Sequence, residues 1–135
     1  MKIRNLDHLN INVRDLQQSI DFYRSVFGME VVESGPDSGY GIWAILRGGD
    51  AMLCLYERPD FELRAAMRER ELKHFALRVE SAAGLEAHLR DLGLQLGYGG
   101  HVSYAHSDSY YVTDPTGYEI EVVAWHDDQV RFDVA

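Results

Sequence analysis

Residues 6–13, Leu-Asp-His-Leu-Asn-Ile-Asn-Val, return 66 positions later as residues 72–79, Leu-Lys-His-Phe-Ala-Leu-Arg-Val. Leu6 falls on Leu72, His8 on His74, Ile11 on Leu77 and Val13 on Val79. A repeat at a fixed offset means one supersecondary unit made twice, because each copy must solve the same burial problem. Two copies fill the chain, so the fold is expected to be tandem or pseudo-symmetric.

Each copy opens with period-two alternation, the pattern of a half-buried strand. Leu9, Ile11 and Val13 share one face, and His8, Asn10 and Asn12 the other. A helix follows. Leu16, Ile20, Tyr23 and Phe27 form an apolar stripe, with Asp15 as its N-cap and Gly28 as its stop. In the second copy the stripe is Leu85, Leu89 and Leu92, with Ser81 as the cap and Gly93 as the stop. Three strands are then expected in each copy: Glu30–Glu33, Gly41–Arg47 and Ala51–Glu57, then Gly97–Tyr104, Ser109–Thr113 and Tyr118–Trp125. Asp114-Pro115-Thr116-Gly117 carries a type I turn signature. Each unit therefore reads strand, helix, three strands: an α+β fold of two βαβββ modules with curved, mostly antiparallel sheets. Module 1 covers about residues 4–57 and module 2 about 71–125, joined by a charged, weakly helical linker, Arg58–Arg70. The polar tail His126–Ala135 is expected to be peripheral.

A length of 135 residues suits a single domain with an adequate core. Lys and Arg number 13 against 22 Asp and Glu, a net charge of −9, which repels nucleic acid and anionic membranes. The longest apolar run, near Ile42–Leu46, is too short to span a bilayer, and Met1–Asn5 has no signal-peptide core. Cys54 is the single cysteine, so no intrachain disulfide can form. A reducing, cytoplasmic setting is expected.

The chemistry concentrates on His8, His74 and Glu121. The two histidines occupy equivalent strand positions, and pseudo-symmetry would turn both inward. In the last strand Glu119, Glu121, Val123 and Trp125 share a face. Two carboxylates on one face repel unless a cation or water relieves them. Two imidazoles and one carboxylate from three strands form the ligand set of a facial triad, with coordination positions left open for substrate. A strand histidine taken alone is more often structural than ligating; equivalence across the repeat changes that weighting.

The repeat unit, the Leu-x-His openings, the run from Asp15-Leu16 through Phe22-Tyr23 to Phe27-Gly28-Met29, and Asp114-Pro115-x-Gly117-x-x-Ile120-Glu121 resemble the vicinal oxygen chelate superfamily. That group includes glyoxalase I, extradiol dioxygenases, fosfomycin-resistance transferases and bleomycin-binding proteins. The resemblance covers about residues 4–125. It implies that His8, His74 and Glu121 hold one divalent metal, that a small substrate chelates it through two neighbouring oxygens, and that modules pair into a shared site, often across a homodimer.

Departures from the family patterns discriminate among reactions. Glyoxalase I resembles this chain in layout, but its bacterial forms place a fourth ligand, a Glu, where Cys54 stands, and a glutathione-binding Arg where Asn12 stands. Cys54, among apolar neighbours, reads as a packed thiol. Extradiol dioxygenases resemble it in carrying a Tyr at the position of Tyr111 and active-site histidines in the stretch holding His101 and His106. Their acid–base His near Asp50 and Ala51 is missing. Fosfomycin-resistance transferases share the ligand set, but the loop Gly97–Ser109 has no Lys or Arg for a phosphonate, leaving only Arg131 in the tail. A metal-free, bleomycin-type binder would use an aromatic groove built from residues such as Trp43, Tyr56 and Trp125, but retention of all three ligand types weighs against it.

The expected function is therefore a metal-dependent enzyme, with Fe(II)-based dioxygenation of a small vicinal diol as the leading reaction. Isomerase, lyase or transferase chemistry on Mn, Zn or Ni is the alternative, and a metal-free binding protein the third. Tyr111 is the candidate hydrogen-bond donor, and His106 or His101 the candidate acid–base group.

Overall fold

A computed structural model describes residues 1–2, 4–36, 39, 41–62 and 72–133. The chain divides into two compact units, residues 1–63 and 64–135. The expected linker lies outside the described residues from residue 63 onward.

Unit 1 runs β1 (Leu9–Val13), α1 (Leu16–Phe27), β2 (Glu30–Gly35), β3 (Trp43–Gly48) and β4 (Ala51–Glu57). The sheet order is β1-β4-β3-β2, with β1 parallel to β4 and the other pairs antiparallel. Ile11 and Val13 are buried and Asn10 and Asn12 exposed, as the alternation requires. Asp15 caps α1 by accepting the Gln18 N–H at 2.8 Å, and Glu57 at the end of β4 accepts the Leu16 N–H at 2.8 Å. Two of the four orphan N–H groups of the helix start are thus satisfied. Gly28 ends the helix at φ +64°, a left-handed conformation that glycine adopts without a steric penalty. Leu16, Ile20 and Tyr23 are buried as expected, joined by Ser19 and Val26. Phe27 is only half-buried and lies against the rings of Phe22 and Tyr23. The core-facing residue of the last turn is Val26, because a stripe at period 3.6 drifts off a strict i, i+4 step.

Unit 2 repeats the order: β5 (Phe75–Val79), α2 (Leu85–Asp91), β6 (Val102–Ser103), β7 (Ser107–Thr113) and β8 (Glu119–Trp125). The sheet order is β5-β8-β7-β6, with β5 parallel to β8. Three expectations are corrected here. Ser81 does not cap α2; its hydroxyl accepts the Ala83 N–H in a local turn, and the helix starts after Gly84 with no side-chain cap. Leu92 is exposed, since α2 has only seven residues and the stripe ends at the buried Leu89. The strand expected over Gly97–Tyr104 is mostly a 3-10 turn, Gly97–Gly99, with Tyr98 at φ 54°; only Val102–Ser103 pairs. Four glycines between positions 93 and 100 favour such turns over a ladder.

Candidate metal and substrate site in unit 2

β8 fully buries Ile120, Val122 and Ala124, while Glu119, Glu121, Val123 and Trp125 on the other face keep a partial exposure. Its start is fixed by the preceding turn. The buried Asp114 carboxylate accepts the N–H groups of Thr116, Gly117 and Tyr118 at 3.0, 2.8 and 2.8 Å, and the Gly117 N–H closes onto the Asp114 carbonyl. This turn sets the register that brings Tyr111 of β7 directly opposite Glu121.

His74 stands one residue before β5, and its Nε2 faces Glu121 Oε2 at 3.1 Å. The other oxygen of Glu121 accepts the Ser109 hydroxyl at 2.7 Å. On the far side of the imidazole, Nδ1 lies 3.7 Å from Glu119 Oε1. Nδ1 is buried and has no hydrogen-bond partner. Glu119 is gripped by the Tyr98 hydroxyl, 3.1 and 3.2 Å from its two oxygens. Tyr111 stands edge-on to His74 with centroids 5.9 Å apart, and edge-on to Tyr98 at 4.7 Å. Its hydroxyl shares a 3.0 Å hydrogen bond with that of Tyr104. Burial first, then the Tyr104 hydrogen bond and the Glu121 charge, push the Tyr111 phenol well above the ordinary tyrosine value. Tyr111 therefore keeps its proton at neutral pH and can donate.

These side chains line two cavities that share His74, Tyr104 and Tyr111, one of about 650 Å³ and one of about 310 Å³. The larger also takes in Glu121, Val123, Trp125 and His106. The tail lies at the surface, as expected, and also borders this cavity. Arg131, Phe132 and Asp133 line this cavity. Phe132 packs edge-on against Trp125 at 5.5 Å, and Asp133 Oδ1 lies 2.7 Å from His106 Nε2. The start of the tail is held by the His126 N–H donating to the His106 carbonyl at 2.9 Å and by the Arg78 guanidinium donating to the backbone and side chain of Asp128. No local sequence pattern signals a contact across that separation.

Of the residues the sequence singled out, His74, Glu121, Tyr111 and His106 come together in unit 2. His101 does not join them. It pairs with Asp108 at 2.6 Å and stacks on Tyr110, and strand alternation turns Asp108 and Tyr110 away from the face of Ser109 and Tyr111. His8 lies in unit 1, one residue before β1 and half exposed, with Nδ1 2.8 Å from Asp7 Oδ2. That leaves its Nε2 directed away from Asp7. Cys54 pairs with Asn10 as Glu121 pairs with Ala76, so it holds the equivalent place in the first sheet. It is buried, and desolvation raises its thiol pKa. Among the described residues no three His, Cys, Asp or Glu side chains form a complete metal cage. Unit 2 itself offers two donors, His74 Nε2 and Glu121 Oε2, at a separation one divalent cation can bridge. The orphaned Nδ1 fits an imidazole that keeps its proton there and ligates through Nε2. The site also holds Ser109, Tyr98 and Asp133, which no sequence motif marks; Ser109, two residues from Tyr111, shares its strand face by alternation alone.

Comparison with known proteins gives the family. Residues 5–122 match the glyoxalase family, described as the glyoxalase/bleomycin resistance protein/dioxygenase superfamily. The chain belongs to that superfamily. It is 30% identical over 124 residues to a trivalent organoarsenical cleaving enzyme of Bacillus sp. (strain MD1), covering 84% of this chain and 69% of that one. It is 30% identical over 123 residues to the catechol-2,3-dioxygenase of Bacillus subtilis (strain 168), covering 88% of this chain and 41% of that enzyme. Among solved structures, a variant of the fosfomycin resistance protein FosX of Listeria monocytogenes, complexed with Mn(II) and a dihydroxypropylphosphonic acid, superposes with a TM-score of 0.73. Sequence identity to it is 20%, with 92% of this chain and 94% of that one covered. The relatives are enzymes of several reaction classes, and this chain is an enzyme of their superfamily. No helix among the described residues is long and apolar enough to cross a membrane.

Proposed function

We propose that this protein is a metal-dependent enzyme whose small substrate binds through two neighbouring oxygens, with His8, His74 and Glu121 holding the metal. The observation that carries the reading is His74 Nε2 facing Glu121 Oε2 at 3.1 Å beside the buried Tyr111. A divalent ion bound there supplies Lewis acidity toward the substrate oxygens and, if it is Fe(II), the means to activate dioxygen.

The chain's own residues supply the rest. Ser109 holds one Glu121 oxygen and leaves the other turned toward His74. Tyr111, backed by Tyr104, donates a hydrogen bond to a substrate oxygen as negative charge grows there. His106 is the candidate acid–base group. Its Nε2 lies 2.7 Å from Asp133 Oδ1, which orients the ring at the cavity edge. Val123, Trp125 and Phe132 give the cavity an apolar side. The leading reaction is dioxygenation of a vicinal diol, supported by the likeness to the catechol dioxygenase and by a two-histidine, one-carboxylate ligand set.

The test is metal content per chain after anaerobic purification without an affinity metal, followed by oxygen uptake with catechols. Near-stoichiometric iron and uptake are expected. Stoichiometric manganese, zinc or nickel without uptake would replace oxygenation with isomerase, lyase or transferase chemistry. No metal, and none taken up on reconstitution, would overturn the ligand set and leave a small-molecule binding protein. His8→Ala, His74→Ala and Glu121→Ala should each lower metal content, and Tyr111→Phe should slow turnover of any substrate found.

A further inference from the structure

We infer that Tyr98 and Glu119 form a positioning arm that fixes the tautomer and orientation of His74, an inference that rests on His74 being a metal ligand. An imidazole that ligates through Nε2 must carry its proton on Nδ1. A buried N–H without an acceptor is costly, and His74 Nδ1 is buried with no hydrogen-bond partner. The acceptor set for it is Glu119 Oε1 at 3.7 Å, a gap that a small rotation of either side chain closes.

Glu119 is not placed there by β8 alone. It shares its strand face with Glu121, and two carboxylates side by side should splay toward solvent. Both remain largely buried, with side-chain exposures of 15% and 17%. Tyr98 prevents the splaying by holding both Glu119 oxygens. It reaches them from a backbone at φ 54°, a conformation that a residue with a Cβ adopts at a cost. The preceding residue, Gly97, lies so close to β7 that a Cβ there would stand 3.2 Å from the Tyr111 Cβ. The turn is thus pressed onto the site, and its strain is spent in presenting one phenol to one carboxylate. The imidazole sits between two carboxylates: Glu121 on the ligating nitrogen, Glu119 on the other. Outer partners of this kind govern ring orientation and ligand basicity in metal sites.

The experiment uses Mn(II) alone on the 135-residue chain and on Glu119→Met, Tyr98→Phe and Glu121→Ala. Methionine is chosen because Met52 holds the matching register position in the first sheet. Glu119→Met should weaken Mn(II) binding roughly 10–100-fold. Tyr98→Phe, which keeps the ring, should weaken it about 2–10-fold. In the metal-free protein a carboxylate faces each ring nitrogen, Glu121 at 3.1 Å from Nε2 and Glu119 at 3.7 Å from Nδ1, so the long-range 1H–15N spectrum of His74 at one fixed pH should show a proton divided between Nδ1 and Nε2. It should move toward Nε2 in Glu119→Met and shift the same way, less far, in Tyr98→Phe. A loss of affinity in Glu119→Met with Tyr98→Phe and the tautomer unchanged would mean only a missing negative charge and would overturn the positioning role. Unchanged affinity in both, with Glu121→Ala unable to bind Mn(II), would overturn the arm and leave the metal reading intact. No Mn(II) binding by the wild type would overturn the metal reading, and the tautomer spectra would then decide the arm.

Discussion

The two sheets have the same strand order and the same mixture of one parallel and two antiparallel pairs, yet they carry opposite faces. In unit 2 the face holding Glu121 also presents Ser109, Tyr111 and Glu119. At the matching register positions unit 1 presents Cys54, Trp43, Ile45 and Met52. One carries hydroxyls and carboxylates; the other is apolar, with Trp43 stacked on Tyr56 at 6.4 Å. The supporting elements differ in the same sense. α1 has twelve residues and two side-chain caps, whereas α2 has seven residues and none. Ile11 and Val13 of β1 are buried, whereas Phe75, Leu77 and Val79 of β5 are half-exposed. Duplication gives two copies of one frame, and here one copy is tuned for packing while the other carries the polar, strained features of a site. Functional positions commonly give up local stability in this way.

The sharpest way to break the comparison is to move a residue across it. Glu121→Cys gives unit 2 the residue of unit 1. It should lower Mn(II) affinity by more than the roughly 10–100-fold expected of an outer partner, because a hard cation prefers carboxylate to thiolate. A metal titration reads this, and unchanged affinity would remove Glu121 from the ligand set. The reverse exchange, Cys54→Glu, places an unpaired carboxylate where unit 1 buries a thiol. It should cost about 3–5 kcal/mol in urea unfolding. A neutral result would show that this face of unit 1 is as polar in function as that of unit 2.

Smaller changes test the frames. Asp114→Ala removes the acceptor for three N–H groups at the turn before β8 and should destabilise by about 2–3 kcal/mol. It should weaken metal binding as well, since that turn sets the register of Glu121. Asp15→Ala removes the α1 cap and should cost about 1 kcal/mol with metal affinity unchanged. The smallest effect concerns pH. The His101 hydrogen bond, the largest cause, and the His126 hydrogen bond hold the Asp108 carboxyl below its ordinary value. A depressed folded pKa stabilises above the unfolded value and is lost as pH falls through the folded one. Wild type should therefore lose stability relative to Asp108→Asn on acidification below about pH 4, as thermal unfolding across an acid series would show.

Much of this was legible before any coordinates. The repeat at 66 positions and the period-two alternation dictate the module order, since burying one face of a strand fixes which residues turn inward. The same alternation put Glu119 and Glu121 on one face, and the type I turn before them followed from its proline and glycine. What the sequence could not yield was whatever depends on contacts between distant segments. Tyr98 lay in a stretch read as strand, because apolar and aromatic residues there outweighed glycines whose effect is conformational. Asp133 and Phe132 reach His106 and Trp125 from a tail held by contacts between distant segments, Arg78 to Asp128 and the His126 N–H to the His106 carbonyl. His101 and His106, alike in the sequence, take different partners in the turns before β6 and β7: one pairs with Asp108, the other lines the cavity of Tyr111 and Glu121. Local patterns carry periodicity, caps and turns, because those energies act over a few residues. Which polar groups meet in a site is decided by strand register and by the return of the tail, both set only when the whole unit packs.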